Sequence, residues 1–155
     1  MKRVISCLAI LTLFSFTKIS FEDYVWEHYQ IGITVPDDCK VVKNTDNEFE
    51  MKSKDIDAYM YVFEKNITVE QMDEAVVEAA HNIHMEELDE ATTIEGDGLD
   101  GFFVEGYKEG HRVVLAGMID PKSHTNFMLL ITFLDKNMKA VDDAVDIIQS
   151  VHSLK

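Results

Sequence analysis

An α+β fold is predicted for this chain: an antiparallel β-sheet with amphipathic helices packed on both faces, an α-β-α sandwich. Three features predict it. Residues 102–107, 111–119 and 127–133 are apolar on both sides of an extended chain. In the second of these, Val113, Leu115 and Ile119 point one way and Val114, Ala116 and Met118 the other. In the third, Phe127, Leu129, Ile131 and Phe133 oppose Met128 and Leu130. A strand of this kind needs a cover on each side of its sheet. Two segments with helical spacing can supply the covers, and the remaining strand-like segments alternate apolar with polar, as outer strands with one wet face do.

Taken in order, the chain opens with Lys2 and Arg3 ahead of an apolar run over residues 4–16. The run is shorter than the roughly 20 residues that span a bilayer, and it reads as a secretory signal peptide over residues 1–17, with an uncleaved membrane anchor as the alternative. Ser15 and Thr17 are small residues at the two positions a signal peptidase reads, which places cleavage near Thr17; Ser20 is the alternative. Most of the apolar run follows Cys7 instead of leading up to it, so lipidation is not expected. Residues 18–28 form a polar and aromatic lead-in, and residues 29–155 a single α+β domain. That is enough chain to bury one core without disulfides or metal.

Within the domain, Tyr29, Ile31, Ile33 and Val35 alternate with Gln30, Gly32 and Thr34, and Pro36 ends the strand. A short strand follows at residues 40–43, then a turn at 44–47. Phe49 and Met51 mark another one-sided strand, and Ala58, Met60 and Val62 alternate with Tyr59, Tyr61 and Phe63. All of these are expected as outer strands of one sheet, joined as a meander. Thr68 opens the first helix, because Gln71 three residues on can reach back and close a capping box. Its inner stripe is Val69, Met72, Val76, Ala79 or Ala80, and Ile83, and Glu70, Asp73, Glu74 and Glu78 lie largely opposite. A short strand over residues 92–95 precedes the glycines. The hairpin of residues 102–119 turns at Lys108-Glu109-Gly110, where the glycine supplies positive φ. After Asp120-Pro121 and a polar loop over residues 122–126 comes the third doubly apolar strand, which belongs at the centre. The second helix runs from about Asn137 to His152, with Val141, Ala144, Val145, Ile148 and Val151 inward.

Charge excludes one class of partner. The net charge of −15 becomes −17 without the signal peptide, as 12 basic residues then face 29 acidic ones. Nucleic acid and anionic membrane surfaces are bound through clustered Lys and Arg and would be repelled. A basic protein or a cation suits better, and no stable membrane insertion is expected once the signal peptide is removed. With Cys7 gone, Cys39 is the sole thiol, so the exported protein has no internal disulfide and Cys39 reads as a buried, inert side chain.

Chemistry-bearing motifs are few. Gly96-Asp97-Gly98-Leu99-Asp100-Gly101 has the spacing of a dinucleotide loop, but a strand follows where a helix is needed, and Asp97 and Asp100 would repel phosphate. It reads as a tight acidic turn; calcium there is a separate, minor alternative, because the carboxylate spacing and distal Glu of an EF-hand are missing. His81 and His84, with Glu78 and Glu87 a turn to either side, form the one cluster resembling metal ligands, through their spacing of three on a helix. The alternative is solvated side chains at a helix end. There is no HExxH and no Gly-x-Ser-x-Gly elbow. No catalytic residue and no cofactor is assigned. Asn66-Ile67-Thr68 is a glycosylation sequon, with meaning in a eukaryotic secretory pathway.

Four segments together resemble the PsbP-like superfold, which includes photosynthetic PsbP, DcrB-type exported bacterial proteins and the Ran-binding Mog-like proteins. They are Ile31-Gly32-Ile33-Thr34-Val35-Pro36 as opening strand, Cys39-Lys40-Val41-Val42 where that family has Gly-Trp after the proline, Gly98-Leu99-Asp100-Gly101 before the hairpin, and Ile147-Ile148-Gln149-Ser150-Val151 at the close. The resemblance covers residues 29–155. It implies an α-β-α sandwich and a mostly non-enzymatic membership. The expectation is an exported accessory or binding protein, periplasmic or extracellular, acting on an unknown protein or small ligand. The alternative is a small hydrolase or metal-dependent enzyme with its site near the end of the first helix.

Overall fold

The computed structural model describes residues 20–63, 66–95, 98–134, 136 and 138–154; the proposed signal peptide, Gly96, Asp97 and Asn137 lie outside them. Among the described residues, ten strands and two α-helices follow one another as β1 (Phe21–Trp26), β2 (Ile31–Pro36), β3 (Lys40–Asn44), β4 (Glu48–Lys52), β5 (Ile56–Val62), α1 (Met72–Asn82), β6 (Thr92–Thr93), β7 (Asp100–Lys108), β8 (His111–Asp120), β9 (Thr125–Leu134), α2 (Met138–Ser150) and β10 (His152–Ser153). The strands form two antiparallel sheets, one of order β1-β2-β10 and one of order β3-β4-β5-β9-β8-β7-β6. Among the described residues no helix is long and apolar enough to cross a membrane.

β9 stands at the middle of the larger sheet, as its two apolar sides require, with β8 beside it. The hairpin β7–β8 is closed by Glu109 and Gly110, both at positive φ (52° and 78°). This is the two-residue turn whose twist matches that of the flanking strands, and Glu109 shares the left-handed geometry with the glycine. Alternate side chains of β8 part between two cores. Val113, Leu115 and Ile119 pack in a cluster with Met72, Val76 and Ala80 of α1, and Val114, Ala116 and Met118 in a cluster with Ala144, Ile147 and Ile148 of α2.

The early strands depart from a single meander. β2 leaves the larger sheet altogether and pairs with β1 and β10, while β3, β4 and β5 form the outer part of the larger sheet. The physical reason is that β2 is not one-sided: Ile31, Ile33 and Val35 are buried, and on its other side Gly32 lies against the His152 ring and the Thr34 N–H donates to Ser150 Oγ at 2.9 Å. Residues 21–26, read as a lead-in, are the strand that completes this small sheet. Trp26 is fully buried, with ring neighbours Tyr29, Phe49 and Phe127, and its indole N–H donates to the Thr45 carbonyl. Tyr24 Oη donates to the Cys39 carbonyl at 3.2 Å and Asn44 Nδ2 to the Val25 carbonyl at 3.0 Å, so side chains stitch β1 to the segment around β3. Cys39 is buried, and burial pushes its thiol up to about 11.

The helices also differ in detail from their spacing. One 3₁₀ turn, Val69–Gln71, leads into α1, and Gln71 Oε1 accepts the Thr68 N–H at 3.1 Å, the reciprocal half of the expected capping box. In α2 the buried positions are Ala140, Ala144, Ile147 and Ile148, with Val145 only half-buried. The helix packs on β2 as well as on β9, which turns its inner stripe toward Ile147. It stops at Ser150 so that His152 and Ser153 can pair with β2. The loop after β8 is short, because Thr125 and Asn126 already belong to β9. Asp120, fully buried, holds it: its carboxylate accepts N–H bonds from Lys122 (3.1 Å) and Ser123 (3.3 Å) and the Ser123 hydroxyl at 2.5 Å. Burial pushes this carboxyl upward, but the donated hydrogen bonds outweigh it and leave the group below its ordinary value.

Candidate functional site

α1 packs on β7 and β8, at one side of the larger sheet. Across β9, β5 and β4 the same sheet face carries Leu130, Tyr59 and Glu50 in register, with Met128, Tyr61 and Glu48 in the next row. Tyr59, Tyr61 and Leu130 are only half-buried there, whereas Met60 and Leu129 on the other side of the same strands are fully covered. The uncovered strip is a groove of about 270 Å³ with Tyr59, Tyr61 and Leu130 as its floor and Leu115 and Ile83, just beyond the end of α1, at its edge. Leu130 also lines a second depression of about 430 Å³, which runs to Lys108, His111 and Leu134 at the hairpin end of the sheet. Leu134 is 63% exposed.

Polar groups fix the orientation of Tyr59. Tyr59 Oη donates to Glu48 Oε2 at 2.7 Å, and Glu48 Oε1 accepts from Lys43 Nζ at 2.8 Å, so three strands contribute one chain of hydrogen bonds. The bond to Glu48, then burial, raises the Tyr59 phenol to about 12. The hydrogen bonds from Lys43 and Tyr59 hold the Glu48 carboxyl below its ordinary value. Tyr61, its ring centroid 5.5 Å from that of Tyr59, is raised by burial. At neutral pH Tyr59 is thus a hydrogen-bond donor locked onto a carboxylate. It is a rigid aromatic tile with a polar rim, the kind of group that contributes contact area at low cost in side-chain entropy. Glu48→Gln removes the charge that holds the phenol proton. Alkaline absorbance titration is expected to show one more tyrosine ionising at about pH 10 to 11 in the variant than in the parent protein. Identical titrations would mean that the hydrogen bond does not persist in solution.

The four residues with metal-ligand spacing are divided by the end of α1. Glu78 and His81 are exposed on the helix and line a third groove, of about 470 Å³, together with Asp73, Glu74, Val77 and Ala91. His84 lies past the last turn at φ 62°. There its N–H bonds to the His81 carbonyl at 3.0 Å while the Met85 N–H bonds to Ala80 at 3.0 Å, a left-handed C-terminal cap that sends the chain away from the helix axis. Glu87, at φ 51°, follows the bridge between Glu86 and Tyr107. Neither His84 nor Glu87 lines the groove that Glu78 and His81 share, and among the described residues no three His, Cys, Asp or Glu side chains are grouped to hold a metal ion. The last two residues of the dinucleotide-like spacing, Asp100 and Gly101, open β7, so a strand stands where a phosphate-binding helix would be. Gly98 is required by close approach: a Cβ there would lie 2.5 Å from the Val151 carbonyl.

In the sequence, Tyr59 and Tyr61 alternate with Ala58, Met60 and Val62 on an outer strand, and their spacing assigns them no role. Two aromatics in succession on a face expected to be wet were the available signal.

No family model matches the sequence, and no curated protein matches it. Solved structures do. A crystal structure from Bacteroides thetaiotaomicron superposes with a TM-score of 0.54 at 12% identity over 86% of this chain, and this chain spans about half of it, 48%. The Saccharomyces cerevisiae Ran-binding protein Mog1p superposes with a TM-score of 0.57 at 9% identity, over 89% of this chain and 97% of that one. A mutant of Mog1 gives the same TM-score at 9% identity, over 88% and 97% of the two chains. The likeness is one of fold, and it makes the architecture of this chain Mog1-like.

Proposed function

We propose that this chain is an exported, non-catalytic accessory protein that binds another protein through the sheet face left open beside α1. The observation that carries the reading is the Tyr59–Tyr61–Leu130 groove, a half-buried aromatic strip on the sheet face beside α1. On this reading the frame is an α-β-α sandwich of the wider PsbP-like kind, with α1 and α2 on opposite faces of the larger sheet. The split of β8 between two cores supports that arrangement. A protein partner is supported by the strip's composition, since half-buried tyrosines are typical of protein interfaces, and the Tyr59 hydroxyl is held by Glu48. It is supported also by the fold shared with a Ran-binding protein. Export rests on the signal-peptide pattern of residues 1–17, and the intact mass of the mature protein is expected to start near Lys18 without a lipid adduct.

Capture of proteins from the exported fraction of the source cells tests the reading, with the parent protein and a Tyr59→Ser/Tyr61→Ser variant as paired baits. A captured protein supports it only if, once purified, it binds the parent one to one and the variant at least about tenfold more weakly, a difference of about 1.4 kcal/mol. Equal binding to both baits would overturn it. The metal-dependent alternative at the end of α1 is tested by calorimetric titration with zinc. On the binding-protein reading, a His81→Ala/His84→Ala variant behaves as the parent does and its stability is unchanged within about 0.5 kcal/mol. One-to-one zinc binding in the micromolar range or tighter, lost in the variant, would favour the alternative instead.

A further inference from the structure

From Asn66 to Tyr107 the chain contains twelve carboxylates and no lysine or arginine, although 14 basic residues are spread over the rest. The third groove lies within this stretch, on the side of α1 turned away from its buried stripe. Its apolar wall is Val77 of the helix and Ala91 of the returning segment, both half-buried. Asp73, Glu74 and Glu78 stand along its rim. Val77 also packs at the margin of the α1 core, which ties the wall of the groove to a fixed part of the fold.

We propose that this groove docks a cationic segment of a partner protein, one with an apolar side chain flanked by Lys or Arg. The apolar side chain covers Val77 and Ala91, and the flanking cations reach Asp73, Glu74 and Glu78. Charge complementarity chooses this occupant over others. A second copy of the chain would bring its own negative charge against the rim, and an acidic or phosphorylated segment would be repelled. An apolar ligand without charge would cover the wall but leave the rim unmatched. The inference rests on the protein-binding reading and adds a second contact region on the other flank of α1, outside the tyrosine groove.

The test uses a short amidated peptide with arginines on both sides of a central leucine, titrated into the full mature chain by calorimetry and by amide shift mapping. One-to-one binding with shifts at Val77, Glu78 and Ala91 is expected. A Glu74→Lys/Glu78→Lys variant is expected to bind at least about tenfold more weakly, as is the parent with the leucine changed to serine in the peptide. An Asp142→Lys/Asp146→Lys variant, with the same charge change on α2, is expected to bind within about twofold of the parent. An equal loss in the α2 variant would reduce the effect to net charge and overturn the proposal. So would equal binding of the serine peptide, competition by calcium for a one-to-one cation site, or closure of the groove by self-association. If the groove fails while the Tyr59 and Tyr61 contacts hold, this inference alone falls. If the tyrosine contacts fail while the peptide still binds here, the reading of the open sheet face falls instead.

Discussion

Replacing Trp26 by alanine is expected to cost about 3–5 kcal/mol, the upper end for a single core truncation. Trp26 is fully buried and touches three other rings: Tyr29 edge-on at 4.7 Å, Phe127 edge-on at 5.7 Å and Phe49 stacked at 6.3 Å. Phe49 belongs to β4 and Phe127 to β9, so this one side chain joins the small sheet to the large one. Its indole N–H has a second task, since the Thr45 carbonyl in the turn between β3 and β4 accepts it. Truncation therefore leaves a cavity bounded by both sheets and removes a donor from that carbonyl. Denaturant unfolding of the Trp26→Ala protein measures the cost. A Trp26→Phe variant is expected to recover most of the packing but not the hydrogen bond. A loss under about 1 kcal/mol for alanine would mean that β1 is an appendage and not part of the core.

Leu115→Ala and Leu129→Ala are each expected to cost about 2–5 kcal/mol, with the larger loss at Leu129. The residues occupy neighbouring central strands but different clusters: Leu115 packs with α1, and Leu129 with the cluster that holds α2 and the small sheet. Leu129 has core on every side. Leu115 lines the tyrosine groove, where neighbouring side chains and water can settle into the space that truncation opens. The cost of a cavity depends on how far the site can collapse, which sets the order. Comparable small losses at both positions would mean that the larger sheet is not buried on two sides.

The central hairpin, β9 and α1 were legible because each carries a strong periodic signal over seven or more residues, and their alternation named the members of both cores. The doubly apolar strands call for covers, and helical spacing pointed to α1 and α2, but nothing in it pointed to a second sheet. One cluster takes in side chains of α1, and the other takes in side chains of α2, β1 and β2; the contribution of the small sheet was hidden for physical reasons. β1 has polar or exposed residues at most of its positions, and its importance rests on the single Trp26. The Gly32 and Thr34 side of β2 looks wet in sequence, yet it is closed by His152 and Ser150 from more than 115 positions away. Long-range closure of this kind leaves no local pattern. The candidate sites were unevenly visible. Glu78 and His81 do meet in a groove, but their partners His84 and Glu87 depend on where the helix ends, and the left-handed residue there is a histidine instead of the glycine that usually marks such a cap. Tyr59 and Tyr61 were visible as a pattern; that their face stays open depends on where α1 lands.

Site-specific photo-crosslinking in the cells that make the protein tests the open-face account most directly. A photoreactive residue is placed in turn at Tyr59, Tyr61 and Leu130 on the open face, and at Asp142 and Asp146 on the exposed side of α2. One and the same partner adduct is expected from the three groove positions and none from the two on α2. Adducts of equal yield from both sets of positions, or from α2 alone, would contradict it.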